Sequence, residues 1–329
     1  MLVVSNPEYG FMDAGSILKK ARIVPQRIRY IYKLRSLIKR GAYEYIYINS
    51  AMSLYAGIAA RLADKPIIWH IREDLQPTWG NKLRMHVIKL FARRVIFVCK
   101  AISCIFEPKK RAQGWFFVPN PVDASKFMVK ESPEDIRRRE GLPESSPVII
   151  SVGYVTPRKG FDILLTAFAL VIHEFPAARL VIVGDFSRTP PDHWNELQEI
   201  IREYKLQDSV SFTGYREDIP QLLAMSDIFA LSSRNEAMPV CVLEAMAAGK
   251  TIVATDVDAI NEVLQDGRLG MIVPPENHLA LASGIITLLG DEQRRTALAC
   301  LAQTHAKTHH APETIFAQLE RIIVETPRR

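Results

Sequence analysis

Residues 228–249 read IFALSSRNEAMPVCVLEAMAAG and are the most informative segment of the sequence. The first four residues form an unbroken apolar run, which is typical of a strand buried on both faces of a parallel sheet. The alanine-rich run that follows predicts a helix, and Pro239 suits its first turn, where a missing N–H costs nothing. A buried strand joined to a helix by a short loop is the building unit of doubly wound α/β sheets.

Short apolar runs alternate with helical patterns along the whole chain. Since strand–helix repetition gives right-handed crossovers, the sequence predicts an α/β protein with two Rossmann-like, doubly wound parallel sheets. The strands predicted in the first half are Leu2–Val4, Tyr45–Ile48, Ile67–His70, Val95–Val98 and Trp115–Val118. Those predicted in the second half are Val148–Val152, Leu180–Val183, Val210–Thr213, Ile228–Leu231, Thr251–Ala254 and Met271–Val273.

The length of 329 residues exceeds what one ordinary core accommodates, which favours two domains. Five prolines crowd the polar segment 119–147, so we expect a first domain over 1–143 and a second over 144–329. A final helix at about Pro312–Val324 follows the second domain and is free to pack back on the first. Because ligands of parallel sheets bind outside the carboxyl ends of the strands, the expected site is a cleft between the domains.

The composition, 48% apolar and 24% charged, is that of a globular protein and offers neither a membrane span nor a secretory signal. Four scattered cysteines predict no disulfide framework and no zinc site, and a cytoplasmic location is expected. No G-x-G-x-x-G motif follows a strand, which disfavours a dinucleotide oxidoreductase.

The net charge of +6 is unevenly distributed, with +13 in residues 1–150 and −7 in residues 151–329. The segment Lys19–Arg40 holds nine basic residues and no acidic one. Five apolar residues in it are spaced to share one helix face: Ile23, Ile28, Ile31, Leu34 and Ile38. One interpretation is a peripheral helix on anionic lipid at the inner membrane face, and the other is a packed helix with a solvated basic face. Nucleic acid is not expected, because no recognition motif accompanies the charge.

Two acids, Glu236 and Glu244, stand eight positions apart after the strand 228–231. Glu244, just over one turn into the helix, is placed to accept hydrogen bonds from the vicinal hydroxyls of a ribose. Glu236 is placed to hold a sugar hydroxyl or to stabilise developing positive charge. The exposed N–H groups of the intervening turn and the positive helix end suit an anionic phosphate. That turn consists of Ala237, Met238, Pro239 and Val240.

Two further loops follow strand ends in the second half. The first, GYVTPRKG, begins with Gly153 and carries Arg158 and Lys159, which are placed to neutralise a diphosphate. The second begins at Gly214, and its backbone at Tyr215 is placed at the edge of a flat base. Each loop taken alone is also typical of an ordinary surface turn.

The second half resembles the donor domain of retaining glycosyltransferases of family 4, the glycosyl transferases group 1, which have the GT-B fold. The resemblance runs in order through VGYVTPRKGFDILLTAF, LVIVGD and VSFTGYREDIPQLLAMSDIFALSSRNEAMPVCVLEAMAAGKTIVATDVDAINEVLQDGRLGMIVPPEN. It implies that Glu236 contacts the donor sugar and Glu244 the ribose. It also implies that the amides of Met238 to Val240 hold the diphosphate.

The same resemblance makes Lys159 the phosphate-binding lysine. The family's arginine after the first-loop glycine is replaced by Tyr154, so Arg158 is the candidate substitute cation. The first half resembles the family's acceptor domain more loosely, through YEYIYINSAMSLYAGIAARLADKPIIWHIRED and VPNPVDASKF. His70, near a strand end, is similar to the histidine that reaches the donor sugar, although a core histidine is the alternative.

No paired-glycine loop occurs in the first 30 residues, so the first domain is expected to lack its opening strand and helix. The expected function is transfer of a sugar from a nucleotide diphosphate sugar to a saccharide or lipid-linked acceptor in cell-envelope or polysaccharide biosynthesis. Retention of configuration is implied by the resemblance, and Glu236 and His70 are the candidate catalytic residues. No metal or other cofactor is expected, on the interpretation that no Asp-x-Asp motif offers metal ligands and that Lys159, Arg158 and the helix start take up the leaving-group charge.

Two alternatives stay open. One is a sugar-nucleotide-binding protein without transfer activity, which a short first domain and Tyr154 permit. The other is a nucleotide-sugar epimerase of the same architecture, which requires a base near C2 of the sugar. Donor turnover and product analysis without an acceptor discriminate among the three.

Overall fold

A computed structural model describes residues 17–75, 78–106 and 115–326, which divide into two compact units. Described residues up to 118, with those from 319 on, form the first unit, and 119–318 form the second. The boundary therefore lies at 118/119 and not at the expected 143/144. The reason is that segment 119–147 packs on the second unit. Its Arg137, 9% exposed, donates from Nε to the Met225 carbonyl at 2.8 Å and from Nη2 to Asp227 at 3.0 Å.

The first unit contains a parallel sheet of four strands. They are β1 Ile46–Ile48, β2 Ile67–Ile71, β3 Arg94–Phe97 and β4 Trp115–Phe117, in the spatial order β1-β2-β3-β4. Its helices are α1 Ile17–Arg40, α2 Leu54–Leu62, α3 Trp79–Phe91 and α4 Lys100–Phe106. Each predicted strand of this unit is confirmed to within a residue at either end, except Leu2–Val4, which lies outside the described residues.

The predicted basic helix is present as α1, which packs on α2. Leu34 and Ile38 are buried there, as the apolar pattern predicts, whereas Ile28 is 49% exposed. The side chain of Ile23 lies outside the described residues. Within the described ranges, each helix is too short or too polar to cross a bilayer.

The second unit contains a parallel sheet of six strands. They are β5 Val148–Val152, β6 Arg179–Val183, β7 Val210–Gly214, β8 Ile228–Leu231, β9 Thr251–Thr255 and β10 Met271–Val273. The spatial order is β10-β9-β8-β5-β6-β7, so the chain reverses direction of winding between β5 and β8. This is the doubly wound topology that the sequence predicts.

Helices flank this sheet. They are α5 Pro133–Arg139, α6 Phe161–Glu174, α7 Pro191–Glu203, α8 Ile219–Ala224, α9 Val240–Ala247, α10 Ile260–Val263, α11 His278–Gly290 and α12 Glu292–His309, with short 3-10 helices at Ala124–Phe127 and Pro157–Lys159. The last helix, α13 Pro312–Val324, begins in the second unit and ends in the first. Helices α6 and α11 pack on each other, and their apolar faces share one core with β5, β6, β8 and β9. The chain from residue 319, within α13, belongs to the first unit, where Tyr45 donates its hydroxyl to the Thr326 carbonyl at 2.7 Å.

Candidate functional site

The loops that follow β5 and β8 lie side by side, because these strands are neighbours where the winding reverses. Ligands of doubly wound sheets bind at this switch point. The loops are bonded to each other: Ser232 Oγ donates to the Lys159 carbonyl at 3.0 Å, and Arg234 N to the Arg158 carbonyl at 2.8 Å. The Arg234 guanidinium also bridges to both carboxylate oxygens of Asp162, at 2.9 and 2.6 Å. Any ligand at the switch point therefore meets two loops that are fixed to each other by hydrogen bonds.

Gly160 is essential to the close approach of these two loops. Its φ is +64°, and a Cβ there would lie 2.1 Å from the Ser232 carbonyl oxygen. We expect Gly160→Ala to lower the free energy of unfolding by at least about 2 kcal/mol, since the left-handed conformation alone costs about 1 kcal/mol. Gly141 is the matched control, because its φ is +72° but a Cβ there meets nothing within 4 Å. If urea unfolding shows that Gly160→Ala and Gly141→Ala lose equal free energies of unfolding, a close approach of the loops would be contradicted.

Three side chains converge on the carboxylate of Glu236, which is 6% exposed. Lys159 Nζ donates to Oε1 at 2.6 Å, Ser233 Oγ to the same oxygen at 2.9 Å, and Arg158 Nη1 to Oε2 at 3.1 Å. The backbone N–H of Glu236 donates to Asp258 at 2.9 Å. The two cations predicted for phosphate therefore both contact the acid predicted for the sugar.

Burial acts to raise the pKa of Glu236, but the Lys159 ammonium, helped by Arg158 and Ser233, outweighs it and lowers the pKa below its ordinary value. The carboxylate is therefore ionised at neutral pH. Because its oxygens already accept three hydrogen bonds, Glu236 is suited to act as a fixed negative charge and not as a proton donor.

Gly153 makes room for this cluster. A Cβ at position 153 would lie 2.7 Å from Cε of Lys159 and 3.2 Å from its Nζ. The glycine after β5 therefore lets the lysine side chain cross the loop and reach Glu236.

Helix α9 begins at Val240, and no side chain caps it at Pro239. The turn Ala237–Pro239, expected as part of the helix start, precedes the helix. Glu244 lies in the second turn of α9, half-buried, and burial raises its pKa. Among the described residues, none donates a hydrogen bond to its carboxylate. A half-buried acid in that state is a natural acceptor for ligand hydroxyls.

The turn before α9 is held from the other side by Asn120. Asn120 Nδ2 donates to the Met238 carbonyl at 3.0 Å, and its backbone N–H contacts Met238 Sδ at 3.2 Å. His310 Nδ1 donates in turn to the Asn120 carbonyl at 3.0 Å. The segment entering the second unit thus orders the candidate phosphate turn.

Three glycines lie at the carboxyl ends of neighbouring strands: Gly153 follows β5, Gly184 follows β6, and Gly214 is the last residue of β7. We term Gly153, Gly184 and Gly214 the glycine row. Gly184 N donates to the Gly214 carbonyl at 3.0 Å, and a Cβ at Gly184 would lie 1.9 Å from the Gly153 carbonyl oxygen. Tyr154 and Tyr215, which follow the outer two glycines, are 64% and 71% exposed. The predicted base edge at 214–215 is therefore open.

His70 belongs to the first unit, one residue before the end of β2, and is 5% exposed. Its Nδ1 lies 2.5 Å from the Tyr47 hydroxyl, and the imidazole also interacts with the Val118 backbone, which acts to raise its pKa. Burial, together with the charge of Arg72, lowers the pKa of His70 to about 4, and burial raises the pKa of Tyr47 to about 12. A Tyr47 hydroxyl that donates to Nδ1 leaves the imidazole proton on Nε2, the tautomer that can donate to a sugar hydroxyl.

The low pKa of His70 predicts acid sensitivity. The folded-state value of about 4 lies below the ordinary 6.5, so the stability due to neutral His70 is complete above pH 6.5 and is lost as the pH falls towards 4. The loss is about 3 kcal/mol at most. In urea unfolding across this range, His70→Gln should remove that part of the pH dependence. An imidazole of His70 that titrates near pH 6.5 by NMR would contradict this.

The premise that the sequence lacks an Asp-x-Asp motif is wrong, because Asp256 and Asp258 form one directly after β9. Asp258 accepts the Glu236 amide, and Asp256 accepts a hydrogen bond from Asn261. In the residues that the structure describes, no group of three or more His, Cys, Asp or Glu side chains is arranged to hold a metal ion. Metal independence stays a prediction.

The profile of the family described as glycosyl transferases group 1 matches residues 132–304. Phosphatidyl-myo-inositol mannosyltransferase of Mycolicibacterium smegmatis is 31% identical over 299 residues, which are 88% of this chain and 73% of that protein. Alpha-D-kanosaminyltransferase of Streptomyces kanamyceticus is 30% identical over 50% of this chain and 42% of its own length. The chain spans about half the length of most of the curated relatives it matches.

Among solved structures, Anabaena Alr3699/HepE in complex with UDP-glucose matches with a TM-score of 0.82 and 27% identity, over 89% of this chain and 81% of that chain. The likeness confirms the predicted GT-B fold.

Proposed function

The chain belongs to the glycosyl transferases group 1 family, and on that premise we propose that it transfers a sugar from a nucleoside diphosphate sugar to a hydroxyl of an acceptor. One observation carries this proposal. At the switch point of the second sheet, Lys159 and Arg158 converge on the buried, ionised Glu236, four residues before the uncapped start of α9. Cations and free helix amides suit a diphosphate, and the acid suits the sugar.

Uridine diphosphate is the proposed nucleotide. The Anabaena structure that this chain resembles contains UDP-glucose. Glu244, half-buried and without a described donor, is proposed to accept the ribose hydroxyls. The glycine row is proposed to lie beside the base, because glycines have no side chains and leave their backbone groups accessible.

In the proposed reaction, the bond from the anomeric carbon to the β-phosphate oxygen breaks, and a bond to the acceptor oxygen forms on the same face. Lys159 and Arg158 offset the negative charge on the leaving diphosphate, and Glu236 stabilises positive charge on the sugar. The acceptor proton passes to the leaving phosphate. Retention is proposed from the resemblance to the retaining family. Because the oxygens of Glu236 are occupied by three donors, Glu236 is a stabiliser and not a nucleophile, so the acceptor attacks the face that the diphosphate leaves. His70 is proposed to donate from Nε2 to the donor sugar.

A saccharide or lipid-linked acceptor at an anionic membrane surface is part of the proposal. It is supported by the +13 charge of residues 1–150 and by the exposed cations of α1, among them Arg29, Lys33, Lys39 and Arg40. Replacing these four by glutamate should abolish co-sedimentation with vesicles that contain phosphatidylglycerol. If the parent binds neutral phosphatidylcholine vesicles equally well, the proposed recognition of an anionic membrane surface would be contradicted.

A panel of nucleoside diphosphates and their sugars in a thermal shift assay tests the proposed function. UDP should stabilise the protein by about 2.7 kcal/mol at a hundredfold excess over its Kd. NMR of the product from UDP-glucose and an acceptor should show a retained anomeric configuration, with EDTA causing no loss of rate. A protein that no nucleoside diphosphate stabilises would overturn the proposal. Binding without transfer would indicate the binding protein, and an altered sugar without an acceptor would indicate the epimerase.

A further inference from the structure

An exposed aromatic ring stands at the carboxyl edge of the second sheet. Phe186 lies two residues after Gly184 and is 38% exposed. Its ring stacks on that of Trp194 in α7, with centroids 5.0 Å apart and planes 13° apart. Trp194 packs edge-on against Phe212 of β7 at 5.1 Å. One face of Phe186 is therefore supported by the protein, while the ring keeps accessible surface.

The backbone around Phe186 is restrained on both sides. Asp185 Oδ1 accepts the Ser187 N–H at 2.8 Å, and the Phe186 carbonyl accepts the Thr189 N–H at 3.1 Å. Thr189 Oγ1 donates to the Val155 carbonyl at 2.7 Å, which joins this loop to the loop after β5. A ring held in this way loses little conformational entropy when a ligand covers it.

The ring borders the glycine row. A Cβ at Gly214 would lie 3.7 Å from Cε1 of Phe186, so the aromatic edge stands beside the open side of Gly214. Gly214 and Tyr215 form the loop predicted to meet the edge of a flat base. A supported aromatic surface beside a backbone edge is the combination that binds a planar heterocycle, by stacking and by hydrogen bonds respectively.

We propose that Phe186 is the stacking surface for the nucleobase of the donor, an inference that rests on the proposed function. Stacking accepts any base, because every base has a π-face. Phe186 therefore adds affinity for all nucleoside diphosphates, and the choice among bases lies with the backbone groups at 214–215.

Calorimetric Kd values for three ligands and four proteins test this. Phe186→Ala should weaken UDP and ADP alike, by about tenfold to a hundredfold. It should leave ribose 5-diphosphate, which has no base, unchanged. Phe186→Tyr should keep the parental affinity for all three. Tyr204→Ala is the matched control, since Tyr204 is an aromatic residue 43% exposed at the other end of α7 from Trp194.

Parental UDP affinity in Phe186→Ala, with a loss in Glu244→Ala, would overturn the stacking role and leave the proposed function intact. Equal losses for UDP and ribose 5-diphosphate would also overturn it, because they would show that the loop had collapsed. If the parent binds no nucleoside diphosphate, the proposed function fails and the inference fails with it.

Discussion

Lys159→Met should lower kcat by about a hundredfold to a thousandfold and should also destabilise the second unit. The first effect follows from the proposed role of the ammonium in holding charge on the leaving diphosphate. The second follows from burial, because Lys159 and Glu236 have side chains 10% and 7% exposed and their charged atoms are 2.6 Å apart. Removing one partner of a buried ion pair typically costs about 3–5 kcal/mol. The lower figure is expected here, since Arg158 and Ser233 still contact Glu236.

The two effects of Lys159→Met separate in a double variant. Adding Glu236→Gln removes the unpaired buried charge, so most of the stability should return while turnover stays lost. Ser233→Ala is the matched control: it removes one hydrogen bond to Glu236, at about 1 kcal/mol, and keeps both charges. Urea unfolding and donor turnover are measured on the parent, Lys159→Met, the double variant and Ser233→Ala. A double variant as unstable as Lys159→Met would show that the pair is not what stabilises the loop.

The same pair sets a pH dependence. Because the folded-state pKa of Glu236 is below its ordinary 4.5, the stability from the ionised pair is present above pH 4.5 and is lost as the pH falls through the folded value. In Glu236→Gln that part of the acid sensitivity should be absent.

The strands were predictable because their signal is local. Ile228–Leu231 is an unbroken apolar run and is buried at every residue, as expected of a strand covered on both faces of its sheet. The domain boundary was not predictable in this way. The prolines of 119–147 resemble a linker, and the contacts that attach it to the second unit reach from Arg137 to Met225 and Asp227, about 90 residues away.

In the site too, residues with a local signal were predictable and contacts between distant residues were not. Glu236 and Lys159 were identified from their loops and from the family resemblance. The ion pair between them was not predicted, because it joins positions 77 residues apart. Ser233 and Asp258 were missed, although Ser233 directly follows a strand end in the most informative segment. Asn120 carries no local signal, because its role depends on the distant Met238.

Glu244→Gln should have opposite effects on the free protein and on its complex. Burial raises the pKa of Glu244, so the folded state binds this proton more tightly than the unfolded state does. Ionised Glu244 therefore lowers stability, and its cost grows as the pH rises above the ordinary 4.5. Glutamine removes that cost, so the Tm of the free variant should exceed that of the parent at pH 7 and approach it at lower pH. Glu199→Gln, on the exposed side of α7, should leave Tm unchanged.

The affinity for UDP should fall in the same variant by about tenfold to a hundredfold, because hydrogen bonds to a charged acceptor contribute about 1.5–3 kcal/mol. A comparison of ligands identifies the group that Glu244 contacts. The parent should bind UDP more tightly than its 2′-deoxy or 3′-deoxy analogue, and Glu244→Gln should lose most of that preference. A preference that survives the substitution would remove Glu244 from the ribose site. A higher Tm together with a lost ribose preference would mean that the half-buried charge of Glu244 lowers the stability of the free protein and that the donor supplies its hydrogen-bond partners.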